Sequence, residues 1–222
     1  EYPIRNEHGG ASISGFCESR NHEIIISVWN GRVYHLDKEK DEFIPYPDKM
    51  RSRNPTVMVQ DNEQDYFWLA TWGDGVVRFD PSAPGDSMFV YSEIPVNAAG
   101  EEDGLILSLA QDDKLGYIWL TTGHDFMALQ IQPDRTLKQL KFPAGLLPVN
   151  HMLVEVLKGK ECLWVSAFDR PSFILHLMDN ITKDYALPAL ADRVNRSPAI
   201  MALCDDGDGM MWMMQERTGL AL

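Results

Sequence analysis

The residues best suited to bind a polar ligand lie in short segments rich in Gly, Asn, Asp and Arg. An exposed aromatic ring can stack on a sugar, while Arg, Asn and Asp offer hydrogen bonds to hydroxyl and carboxylate groups. Among the candidates, Trp29 and Trp72 matter most, because both lie outside the apolar core pattern of their segments; packing at the rim of the fold explains them at least as well as ligand contact. The candidate ligand contacts are Trp29, Trp72, Asp74, His124, Asp169, Arg170, Arg53 and Arg196.

Four arginines stand out because the chain as a whole is acidic. With 20 basic and 33 acidic residues, the formal net charge is −13. In such a chain these cations hint at an anionic ligand, while the interpretation we favour is solvated loop charge. These residues are Arg51, Arg53, Arg193 and Arg196.

Catalytic motifs are scarce in this sequence. It contains no G-x-S-x-G, H-E-x-x-H or Walker-type loop. His124 and His151, with an acidic neighbour such as Asp125 or Glu155, could act as a general acid–base pair, which would suit a lyase. We nevertheless expect a segment that has no catalytic residue and is not an enzyme.

Metal and cofactor motifs are also weak. The three cysteines form no C-x-x-C pair, which excludes the usual zinc spacing. The segment 205–209 is acidic and Gly-rich like a calcium loop, and Glu216 falls eleven positions after Asp205. An internal repeat, described below, explains these acidic residues better than calcium binding does. We therefore predict no metal and no cofactor.

Composition narrows the classes of partner. A pI near 4.8 argues against nucleic-acid binding, which needs a basic surface. No run of about 18 apolar residues is present, and the first residues do not have the pattern of a signal peptide. We expect either a cytosolic protein or a chain that begins after a removed or omitted segment.

An internal repeat is the strongest pattern in the sequence. Apolar segments centred on a tryptophan recur, as in Tyr66–Thr71 and Tyr117–Thr122. The repeat anchors are Ile25, Trp68, Trp119, Trp164 and Trp212. We expect them to pack in an apolar core. An acidic residue precedes four of these anchors by seven positions, and we expect it to bond backbone amides in a turn.

Each repeat reads as four short strands with turns about ten residues apart, and no segment has sustained helical periodicity. Four-stranded antiparallel units that recur every 40 to 50 residues predict an all-β fold, the β-propeller. We expect one domain, 1–222, with approximate blades 12–47, 55–92, 105–143, 152–187 and an incomplete 199–222. The chain would be a fragment of a larger, seven-bladed propeller, or alternatively a closed five-bladed ring.

The consensus, clearest from Asp61 to Asp80 and ending Trp68-Leu69-Ala70-Thr71-Trp72-Gly73-Asp74-Gly75-Val76-Val77-Arg78-Phe79-Asp80, resembles the two-component regulator propeller repeat. The resemblance covers nearly the whole chain, although the first and fourth copies are degenerate. In that family the repeats form the extracytoplasmic sensor region of hybrid two-component histidine kinases of the Bacteroides type.

The resemblance implies a periplasmic sensor segment that recognises an oligosaccharide and signals to polysaccharide-utilisation genes. It also implies a homodimer in the full-length sensor and attachment to the inner membrane through a downstream segment that these residues do not include. Two other functions stay open: a stand-alone lyase or lectin, and a platform for protein–protein interaction or dimerisation.

Overall fold

The computed structural model describes residues 4, 12–29, 32–47, 50–51, 54–97, 99–112, 115–122, 125–140, 152–157, 162–167, 173–176, 200–205, 211–215 and 219–221. These residues form 18 strands and a short 3₁₀ helix at Gly85–Ser87. In the described part of the chain, no helix is long and apolar enough to cross a membrane.

The strands form five sheets in which sequence neighbours pair, so each sheet is a meander. The first sheet contains β1 (Ile13–Glu18), β2 (Ile24–Val28), β3 (Val33–Asp37) and β4 (Glu42–Pro45). The second contains β5 (Pro55–Gln60), β6 (Phe67–Thr71), β7 (Val76–Phe79) and β8 (Phe89–Tyr91). The third contains β9 (Ile106–Asp112), β10 (Tyr117–Thr122), β11 (Phe126–Ile131) and β12 (Leu137–Gln139).

The last two sheets show three strands each among the described residues. The fourth sheet contains β13 (Met152–Leu157), β14 (Cys162–Ala167) and β15 (Phe173–His176), and the fifth β16 (Ile200–Asp205), β17 (Met211–Gln215) and β18 (Gly219–Ala221). Sheets of four antiparallel strands joined in sequence order are the unit from which propellers are built. The predicted all-β fold class is confirmed.

The chain divides into two compact units. One comprises Glu1–Pro95 and Glu102–Ile106 and holds the first two sheets, and the other comprises Val96–Glu101 and Leu107–Leu222. In the first unit, Ile25 and Val33 of one sheet share a buried cluster with Phe67, Leu69 and Phe79 of the other. Burying a side chain of this size stabilises the folded state by roughly 1.5–3 kcal/mol, so this cluster holds the two sheets together.

A glycine permits this close packing. A Cβ at Gly15 in β1 would lie 2.5 Å from Ser27 Oγ and 3.3 Å from the backbone nitrogen of Met58 in the neighbouring sheet. A side chain here would press on Ser27 in the same sheet and pack tightly against Met58 in the next. Glycine at position 15 therefore favours the close approach of β1 to β5.

The repeated aspartate closes the hairpin that carries the repeat tryptophan. Asp61 Oδ1 accepts hydrogen bonds from the backbone N–H groups of Glu63 and Gln64, each at 2.9 Å. Asp61 Oδ2 accepts a bond of 2.8 Å from Nε1 of Trp68, and both residues are buried. This confirms the predicted turn contacts and adds an indole bond that the spacing alone did not indicate.

The third sheet uses the same arrangement. Asp112 accepts from the backbone N–H of Leu115 at 3.2 Å and from Trp119 Nε1 at 3.5 Å. The Trp119 ring is fully buried and stacks on Phe126, with centroids 5.5 Å apart. A seven-residue spacing between acid and tryptophan thus places the carboxylate beside the indole N–H across one hairpin.

Candidate ligand-binding site

Two tryptophans lie at corresponding points of the first two sheets, directly after the second strand of each. The backbone N–H of Trp29 donates to the carbonyl of Ser12 at 2.8 Å, and that of Trp72 donates to the carbonyl of Asn54 at 2.8 Å. Each bond extends the pairing of the first and second strands by one residue. The sheets therefore present both indoles at the same end, where the β2–β3 and β6–β7 loops begin.

The two indole rings contact each other. Their centroids are 5.1 Å apart and their planes are nearly perpendicular, at 83°. Edge-to-face contact of this kind stabilises an aromatic pair by about 0.5–1.5 kcal/mol beyond its burial. Trp29 is half-buried, whereas Trp72 stays 50% exposed. The pair thus combines rim packing with an accessible aromatic surface on Trp72.

The β6–β7 loop that follows Trp72 is fixed by its backbone. The N–H groups of Gly73 and Gly75 both donate to the carbonyl of Gly104, at 2.8 and 3.2 Å, and Trp72 forms a β-bridge with Leu105. Gly73 has φ of 124° and Gly75 has φ of 68°, which other residues rarely adopt. The exposed indole therefore stands on a loop with little freedom.

A buried threonine side chain forms hydrogen bonds to the backbone of this loop. Thr71 Oγ1 accepts from the backbone N–H of Asp74 at 3.1 Å and donates to the carbonyl of Gly75 at 2.8 Å. In the third sheet, Thr122 Oγ1 accepts from the N–H of Asp125 at 2.9 Å. Both threonines lie three residues after a repeat tryptophan. The sequence analysis did not identify these threonines as residues that shape the loop. Their recurrence three positions after a repeat tryptophan was the signal that could have shown it.

A cation lies beside Asp74. The guanidinium of Arg51 is 4.2 Å from the centre of the Tyr91 ring, and its Nη2 is 3.7 Å from Asp74 Oδ1. The backbone N–H of Arg51 also donates to the Tyr91 hydroxyl. Tyr91 of β8 thus holds Arg51 in two ways.

The structure brings together Trp29, Trp72 and Asp74 from the predicted contacts, with Arg51 as a further member. The other predicted contacts, His124, Asp169, Arg170, Arg53 and Arg196, lie outside the described residues, so their roles stay predictions.

Among the repeat anchors, Ile25, Trp68 and Trp119 are at most 1% exposed. Trp164 lies in β14 opposite Glu155 and Ile174, and Trp212 lies in β17 and is half-buried.

The described residues include no group of three His, Cys, Asp or Glu side chains that could hold a metal ion. Burial raises the pKa of the Cys17 thiol, which makes it a poor nucleophile. What the site offers chemically is an aromatic face, a carboxylate and a guanidinium. Such a set binds a polar ligand by stacking and hydrogen bonds.

No family model matches the chain, and no curated protein matches its sequence. Solved structures match its fold. The extracellular domain of BT4673 of B. thetaiotaomicron, which is assigned to the hybrid two-component systems, is 14% identical with a TM-score of 0.66. The alignment covers 99% of this chain and 28% of that one.

Two further structures come from proteins of other kinds. PorZ, an essential surface component of the type-IX secretion system of Porphyromonas gingivalis, is 15% identical with a TM-score of 0.67 over 99% of this chain and 32% of that one. Virginiamycin B lyase from Staphylococcus aureus is 17% identical with a TM-score of 0.66 over 99% of this chain and 67% of that one.

The chain spans less than a third of the length of the solved BT4673 extracellular domain and of the solved PorZ chain. At these identities the likeness shows the fold alone. The chain has the sheet architecture of β-propeller proteins, which extracellular sensor domains, a surface component of a secretion system and a lyase share.

Proposed function

We propose that this chain is the ligand-sensing extracytoplasmic part of a hybrid two-component sensor, and that it binds an oligosaccharide at the loop end of its first two sheets. The observation that carries the proposal is Trp72, an indole that is half-exposed on a loop fixed by its own backbone bonds. What distinguishes Trp72 from other exposed apolar side chains is its setting, because it contacts a second indole and is followed two residues later by Asp74, whose carboxylate pairs with Arg51.

The geometry suits a sugar. One face of a pyranose ring carries C–H groups that pack on an aromatic face, while its hydroxyls need hydrogen-bond partners in the plane around it. Asp74 lies two residues after Trp72, so its carboxylate can accept from hydroxyls of a ring stacked on the indole. Because the loop is already ordered, binding costs little conformational entropy.

The sensor role rests on two supports that are independent of this site. The sequence repeat resembles that of two-component regulator propellers, and BT4673 shares the fold. On this proposal the chain works in the periplasm, binds the sugar without catalysing a reaction, and forms part of a homodimer whose geometry changes with ligand binding.

Sequencing the reading frame beyond this segment tests the sensor role. A membrane span and a kinase are expected, and a reading frame without them would contradict the sensor role.

The binding claim is tested by isothermal titration with a panel of di- to hexasaccharides. We expect Trp72→Ala to weaken the best ligand at least tenfold, because the stacking surface is lost. The matched control is Phe16→Ala, since Phe16 is 63% exposed but lies on β1 away from the loops. Equal weakening in both variants, or no binding by the wild type, would contradict the proposal, and release of sugar products would favour the lyase.

A further inference from the structure

Arg51 is held in one orientation by Tyr91. The guanidinium lies 4.2 Å from the ring centre, and the Arg51 backbone N–H donates to the hydroxyl of the same tyrosine. A cation over an aromatic face is stabilised by about 0.5–1 kcal/mol at an exposed site. The side chain is therefore oriented before any ligand arrives, although it is 68% exposed.

The guanidinium of Arg51 is ion-paired with Asp74 but not hydrogen-bonded to it. Asp74 Oδ1 is 3.7 Å from Nη2, which is an ion-pair distance but too long for a hydrogen bond. A planar guanidinium with free N–H groups is the side chain that binds a carboxylate or sulfate in bidentate fashion.

From this arrangement we propose that the sugar carries an acidic group, and that Arg51 binds that group while Trp72 stacks on the ring. The inference rests on the proposed function and specifies its ligand class as acidic oligosaccharides. Asp74, which pairs with the guanidinium at 3.7 Å, then accepts from ring hydroxyls. An acidic sugar supplies all three partners at once, since it has an apolar ring face, hydroxyl donors and an anionic acceptor.

The negative charge of the protein makes a cation at the site more important for binding an acidic sugar. At a net charge of −13, the surface repels anions at long range, and Asp74 adds a local negative charge. An acidic sugar therefore needs a positive charge at the site, which on this proposal Arg51 supplies.

The test compares oligogalacturonides of two to six units with their methyl esters, which have the same backbone without the charge. Wild type, Arg51→Gln and Lys138→Gln are titrated with both series in a calorimeter. Lys138 is an exposed residue of β12, so its substitution removes one positive charge from the chain without touching the site.

We expect wild type and Lys138→Gln to bind the acids at least tenfold more tightly than the esters, and Arg51→Gln to lose that preference. Esters bound as tightly as acids would overturn the acidic ligand class and leave the proposed function standing. A preference for acids that survives Arg51→Gln would overturn the role of Arg51. Absence of binding in both series, together with the wider panel, would overturn both proposals.

Discussion

At the scale of single residues, the bond between a carboxylate and an indole connects the repeat pattern to stability. Trp68 is fully buried, so its N–H would be costly to leave without an acceptor. Asp61 supplies that acceptor at 2.8 Å and caps two turn amides with its other oxygen. One side chain thus satisfies three donors, which explains why the acid and the tryptophan recur at the same spacing.

Replacing Asp61 by alanine is expected to lower the free energy of unfolding by about 2–4 kcal/mol, because buried donors lose their acceptor. Urea denaturation followed by tryptophan fluorescence measures the change. The matched control is Asp65→Ala, whose carboxylate is 79% exposed and is paired with Arg20 at 3.5 Å. We expect the control to cost less than about 0.5 kcal/mol; an equal cost at both positions would show that the indole bond contributes nothing.

At the scale of elements, the β6–β7 loop determines where Trp72 stands. Its conformation depends on Gly104, which is distant in sequence but touches the loop backbone. A Cβ on Gly104 would lie 2.2 Å from the carbonyl oxygen of Gly73, which is far inside contact distance. The loop can keep its two hydrogen bonds to the carbonyl of Gly104 only if residue 104 has no side chain.

We expect Gly104→Ala to displace the β6–β7 loop, to destabilise the fold by about 1–3 kcal/mol and to weaken ligand binding at least fivefold. Thermal unfolding and calorimetric titration measure the two effects. Gly85→Ala is the control, because Gly85 has φ of 55° but a methyl group there would meet nothing within 4 Å, so only the backbone cost of about 1 kcal/mol applies. Normal binding by Gly104→Ala would contradict the view that this loop positions the site.

The sequence predicted the strands because each blade buries apolar residues at a regular spacing, and it predicted the turn aspartates because Asp bonds backbone amides locally. It also indicated that Trp29 and Trp72 lie outside the apolar core pattern of their segments. It could not predict that Arg51 would lie against Tyr91, since these residues are forty positions apart and only the packing of two sheets brings them together. The contact between Gly104 and Gly73 could not be predicted either, because these residues are also distant in the sequence.

At the scale of the whole molecule, stability and charge are coupled at the junction of the first two sheets. Tyr46 lies in the buried cluster between them, with its ring centre 5.0 Å from that of Phe79. Burial, and secondarily the negative charge of Glu23, raise the pKa of Tyr46 from 10.0 to about 12. The folded state therefore keeps a proton that the unfolded chain loses first.

This pKa shift predicts a loss of stability in alkali. Below pH 10 both states hold the tyrosine proton and the contribution is complete; between pH 10 and about 12 the unfolded chain releases it, so stability falls as pH rises. Urea titrations from pH 8 to 12 should show a steeper decline in wild type than in Tyr46→Phe, which has no proton to lose. Parallel curves would show that Tyr46 does not couple pH to folding.

The central claim is that an oligosaccharide binds on Trp72, and the indole N–H signals of the six tryptophans report on it directly. We would titrate ¹⁵N-labelled protein with the tightest ligand of the panel and follow these signals by NMR. We expect shifts for Trp72 and its edge-on partner Trp29, with buried Trp68 and Trp119 unchanged. Binding that leaves Trp72 unmoved while other indoles shift would place the ligand elsewhere and contradict the claim.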